Sequence, residues 1–165
     1  MATANWAAEY SLMRVLQSGE QFQSPPSEDA RQLLDIVVLH MSDSSTLRAL
    51  KTASKLASEL SGKVNLLALR IVPYSLRLES PQVPVSFTAH QLGELARQAG
   101  VEASVEIILC RDLMTTLSAV LKPQSLIVLG EHHSHWWSFD WLDRDYRLAQ
   151  RLRKQGHQVV SADLN

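Results

Sequence analysis

Four short, largely apolar runs limit what this chain can become: Ile36–Leu39, Val64–Val72, Val101–Leu109 and Leu126–Leu129. Ile36-Val37-Val38-Leu39 is continuously apolar and β-branched, which suits a strand covered on both faces, as in a parallel sheet. Each run is followed by a stretch of helical spacing. Between Ser45 and Ser61 the positions Leu47, Ala49, Leu50, Ala53, Leu56, Ala57 and Leu60 form one stripe, and Gly62 is expected to end the helix. Thr88–Ala99 repeats the pattern, Asp112–Leu121 is shorter, and Leu142–Gln155 makes a last, basic helix before a fifth strand starting at Val159-Val160. Strand, helix and strand in succession make right-handed βαβ units. Val101, Ala103, Val105 and Ile107 alternate with Glu102, Ser104 and Glu106, which places that strand at or near a sheet edge with one face toward water. The expected fold is α/β and Rossmann-like, an open parallel five-stranded sheet of order 3-2-1-4-5 sandwiched by helices. A ligand crevice then lies beyond the strand carboxyl ends at the switch point, where His40–Ser45 and Gly130–Ser134 fall.

Before this core, Trp6, Tyr10, Met13 and Leu16 have helical spacing, and Gly19–Glu28 contains two prolines among polar residues. Residues 1–28 are therefore expected to be a helical arm and linker, and 29–165 the α/β domain. With a net charge of −1 there is no basic field for nucleic acid. No apolar run approaches the roughly 18 residues of a membrane span, and MATANWAAEY lacks the character of a signal peptide. Cys110 is the single cysteine, so no internal disulfide can form. A cytoplasmic domain that neither inserts in membranes nor binds nucleic acid is expected.

DIVVLHMSDSSTLRAL, KVNLLALRIVP, VEIILCRDLMTTLSAVL and SLIVLG, in that order, resemble the universal stress protein family of adenine-nucleotide α-hydrolase-like domains, over most of Asp35–Asp163. The resemblance implies the same strand order and stress-related or regulatory work. Nucleotide-binding members end the first strand with an acidic residue and carry a Gly-x2-Gly-x9-Gly-Ser/Thr phosphate loop. Here the first strand ends in His40-Met41-Ser42. Gly130 fits the first glycine, His133 stands at the second, and Asp143-Arg144 at the final pair. Bulky side chains there bar close backbone approach, and Asp143 would repel phosphate, so the loop is degenerate and no cofactor is expected. The alternative is weak ATP or AMP binding at His40, Ser42, Asp43, Gly130, Glu131 and Ser134.

The segment after Gly130, EHHSHWW, holds His132, His133 and His135 beside Glu131, and imidazole and carboxylate are zinc ligands. With only His40 as a distant partner, no metal site is expected. Trp136, Trp137 and Trp141 read as anchors that cover the crevice or form a homodimer interface. His40, Ser42 and Asp43 are read as turn and capping residues and not as a catalytic trio. Cys110 is read as a small buried residue, and Arg144, Arg147, Arg151, Arg153 and Lys154 as a solvated helix face. The expectation is a non-enzymatic, dimeric regulatory domain. The alternatives are an AMP/ATP-binding stress sensor and a cytoplasmic regulator attached through its N-terminal arm to a transporter or kinase.

Overall fold

The computed structural model describes residues 13–17, 34–79, 81–130 and 139–162, with the backbone alone for 13–17 and 139–145. The strands are β1 Met13–Gln17, β2 Asp35–Leu39, β3 Lys63–Ile71, β4 Ala103–Cys110, β5 Leu126–Gly130 and β6 Gln158–Ala162. The helices are α1 Asp43–Leu60, α2 Val85–Ala99, α3 Leu113–Val120 and α4 Phe139–Lys154. The sheet runs β1-β4-β3-β2-β5-β6. Its five parallel strands, β2 to β6, follow the 3-2-1-4-5 order expected from the sequence.

The sheet separates two cores. Ile36, Val38, Leu66, Ile107 and Val128 pack with Leu50 of α1 and Leu92 of α2. Val37, Leu39, Leu67, Ile108 and Ile127 face the other way, onto Leu117 of α3 and Leu152 of α4. That period-2 division of uniformly apolar strands is what a doubly covered sheet requires. Packing also outweighs local propensity in α1, whose six Ser and Thr residues are mediocre helix formers. Each costs at most about 0.7 kcal/mol against alanine. Full burial of one leucine such as Leu50 returns roughly 1.5–3 kcal/mol.

Local signals set the helix ends. Ser42 is the N-cap of α1, in a reciprocal box with Ser45: the Ser42 amide donates to Ser45 Oγ, and the Ser45 amide donates to Ser42 Oγ. Asp112 caps α3, accepting from the Thr115 amide at 2.7 Å. At the end of α1 the left-handed residue is Ser61 (φ 51°), one position before the expected glycine. Gly62 is small for a different reason: a Cβ there would sit 2.7 Å from the Leu34 carbonyl oxygen.

Two expectations need correction. The helix predicted over Trp6–Leu16 is not formed at Met13–Leu16, which lie in β1, antiparallel to β4 with Met13 opposite Leu109 and Gln17 opposite Val105. A short helix gains little from its few hydrogen bonds, whereas the outer edge of β4 offers a row of backbone donors and acceptors. Part of the presumed arm thus belongs to the sheet, while residues 1–12 and 18–28 lie outside the described residues. The second correction concerns β4, which is next to the edge and not water-facing throughout. Glu102 and Ser104 are exposed, but Glu106 is only 3% exposed, because both faces of the sheet are covered from Val105 onward.

Removing Met1–Gln17 uncovers the β4 edge. The truncated protein is expected to melt several degrees lower and to self-associate, as read by thermal denaturation and sedimentation velocity. An unchanged melt and a monodisperse boundary would restore the view of this segment as a dispensable arm.

Candidate functional site

Polar residues stand at or just past the carboxyl ends of β2, β3 and β4, namely His40, Arg70 and Arg111. His40 follows β2, its amide donating to the Leu67 carbonyl at 2.9 Å, and the half-buried ring places Nδ1 3.0 Å from Thr46 Oγ1. The Ser42 hydroxyl lies 2.8 Å from Ser45 Oγ. Asp43, in the first turn of α1, accepts from Gln91 Nε2 of α2 at 2.9 Å. His40, Ser42 and Asp43 are therefore neighbours along the chain whose side chains engage three different partners, as expected for turn and capping residues.

Arg70, Thr88 and Gln91 also belong to this crevice. Arg70 Nη1 donates to Thr88 Oγ1 at 2.6 Å, joining β3 to the start of α2. An arginine inside the apolar run VNLLALRIV was the available signal for it. Next to it, Arg111 holds the loop after β3. Its guanidinium donates to the carbonyls of Val72 (2.7 Å), Pro73 and Leu76 (2.8 Å) and lies over the Tyr74 ring at 5.2 Å. Cys110 is fully buried, and burial pushes its thiol above the ordinary range against a hydrogen bond from Thr116, so it is a poor nucleophile.

Gly130, the matched phosphate-loop glycine, ends β5 against the first turn of α1. A Cβ at this position would lie 1.8 Å from the Ser45 carbonyl oxygen and 2.4 Å from its carbon. No side chain fits there, and Ser45 is itself 1% exposed. The glycine is required by strand–helix contact, whether or not a phosphate ever approaches. Asp143, at the family's third glycine position, falls inside α4, which starts three residues earlier than the periodicity indicated. Glu131, Ser134, the three histidines between them and after them, Trp136 and Trp137 lie outside the described residues, and of Trp141 only its place in α4 is described. Among the described residues no group of three or more His, Cys, Asp or Glu could hold a metal ion.

Two measurements follow from this geometry. Gly130→Ala must push α1 off the end of β5; the expected cost is about 3 kcal/mol, at the top of the usual overpacking range, or a fall of roughly 6–12 °C in melting temperature. A melt within a degree of wild type would show that the contact yields freely. His40 has its pKa lowered by burial, which outweighs the opposing pull of the Asp43 charge and is joined by a smaller effect of the Arg70 charge. The unfolded chain therefore binds more protons at this position than the folded one as pH falls through 6.5. Stability supplied by neutral His40 is complete above that pH and is lost on acidification toward the depressed folded value. Denaturant melts between about pH 7 and pH 5 should show a shallower loss in His40→Gln than in wild type; parallel curves would assign the slope elsewhere.

No protein-family model matches this chain, and no curated protein matches it. Solved structures do. A universal stress protein from Archaeoglobus fulgidus superposes with a TM-score of 0.52 at 17% identity, over 79% of this chain and 93% of that one. A universal stress protein solved in complex with cAMP superposes with a TM-score of 0.50 at 15% identity, over 79% and 96% respectively. Identities this low speak to architecture, and in architecture the agreement spans nearly the whole of both relatives: this chain has the fold of the universal stress proteins.

Proposed function

We propose that this chain is a non-enzymatic regulatory domain of the universal-stress-protein type that does not hold ATP in that family's manner and acts as a homodimer in the cytoplasm. The observation that carries the first part is the contact at Gly130. The one glycine of the phosphate-loop pattern that survives is occupied by the Ser45 backbone, and the third position lies within a helix. His40 stands where nucleotide-binding relatives place an acid, and its ring favours the neutral state. The polar side chains of the crevice bond to one another, so a nucleotide would have to displace Thr46 from His40 and Gln91 from Asp43.

Support for the dimer is the exposed hydrogen-bonding edge of β6, which among the described residues pairs with β5 alone. No helix among the described residues is long and apolar enough to cross a membrane. A second reading, a nucleotide sensor, is favoured by the structural neighbour solved with cAMP. Titration calorimetry with ATP, AMP and cAMP separates the two. No saturable heat at millimolar ligand is expected, and a micromolar dissociation constant for any of them would replace the first reading with the second.

A further inference from the structure

One charge at the carboxyl ends of the sheet is left unbalanced by the hydrogen bonds that close the crevice. Arg70, one residue before the end of β3, is half-buried and donates from Nη1 to Thr88 Oγ1 at 2.6 Å. Among the described residues no carboxylate pairs with it. Asp43, which like Arg70 acts on the charge of His40, receives Gln91 Nε2 instead. On the adjacent strand end stands Arg111, two positions past the Leu109 that lies opposite Arg70. Its guanidinium is held by the carbonyls of Val72, Pro73 and Leu76, and no described carboxylate pairs with it either.

A guanidinium stays charged and carries five N–H donors in a planar fork. The Thr88 hydroxyl is neutral and engages Nη1, which leaves Nε and Nη2, the pair of donors that meets a carboxylate side-on. Thr88 is buried at the start of α2, so the guanidinium is anchored before any ligand arrives. A neutral donor would suffice to tie β3 to α2, whereas a cation drawn partly out of water is costly without an anion. The position of Asp43 selects among anions. Its carboxylate disfavours a phosphate dianion, and the Ser45 backbone fills the space at Gly130 where loop amides would cradle one. A planar monoanion matches both the fork and the local charge.

We infer that the crevice binds a small carboxylate monoanion, held bidentately by Nε and Nη2 of Arg70 beside Thr88. This deepens the proposed function and rests on it in one respect, that the crevice is left to a ligand other than ATP.

Nuclear magnetic resonance on the full chain tests this by following the Arg70 Nε–Hε signal during titration with acetate, lactate and isobutyrate. Acetamide serves as the neutral isostere and inorganic phosphate as the competing anion. At least one carboxylate is expected to shift that signal saturably at millimolar concentration, with acetamide and phosphate at least tenfold weaker. Arg70→Lys keeps the charge and loses the fork, and Arg70→Gln keeps a donor for Thr88 and loses the charge. Each should weaken the carboxylate at least tenfold, read at the Thr88 amide, while the circular dichroism stays native. The wild-type titration decides the matter if neither variant folds. No saturable shift with any of the three carboxylates, an equal response to acetamide or phosphate, or wild-type affinity in a folded variant would each overturn the inference. ATP is titrated in a separate arm: its saturable binding sinks the proposed function and leaves the carboxylate result to stand, whereas absence of carboxylate binding sinks this inference alone.

Discussion

The first turn of α1 rests on the end of β5 without a side chain between them, and much of the molecule's carboxyl-end chemistry depends on that contact. Ser45 is buried against Gly130, so its hydroxyl is directed back to Ser42, which thereby becomes the helix cap. Capping in turn fixes the turn that carries His40 and Asp43, bringing one to Thr46 and the other to Gln91 of the neighbouring helix. A glycine that resembles half of a phosphate loop is accounted for by packing alone. The fold requires glycine at this position whether or not a nucleotide binds.

The two ends of the sheet solve different problems. At the carboxyl ends, polar side chains that close a crevice satisfy one another across elements, as Arg70 does with Thr88 and Arg111 with three loop carbonyls. Such pairing links strands to helices at modest net gain per bond, and breaking one side alone is the costly event. At the amino ends, a short α3 leaves space beneath β3 and β4, and a polar row fills the wall of that space. Burial of Glu106 there is a local departure from an otherwise apolar face, and Asn65 donates a hydrogen bond to it.

A parallel core also needs its flanks protected. β4 would leave an open row of amides and carbonyls, and the five residues of β1 cover it in the antiparallel sense. The sheet is consequently mixed, with a pure parallel centre and one reversed strand, and Met13–Gln17 contribute to the domain they precede.

Period and punctuation in the sequence determined the alternation of strands and helices, the strand order 3-2-1-4-5 and the capping turn at Ser42, because burial on two faces and helix termini are recorded in nearest-neighbour spacing. The residues around the crevice were legible as far as His40, Ser42, Asp43 and Gly130, since topology alone places strand ends together. Three things were decided only in the folded state. Met13–Leu16 has a spacing compatible with helix, and the vacant edge of β4, remote in sequence, selected strand. Glu106 alternates as though solvent-facing, and coverage by other elements buried it. Gly130 matches a binding motif, and the approach of Ser45, eighty-five positions earlier in the chain, supplied its reason. Each depends on a contact between segments distant in sequence, which spacing along one segment does not encode.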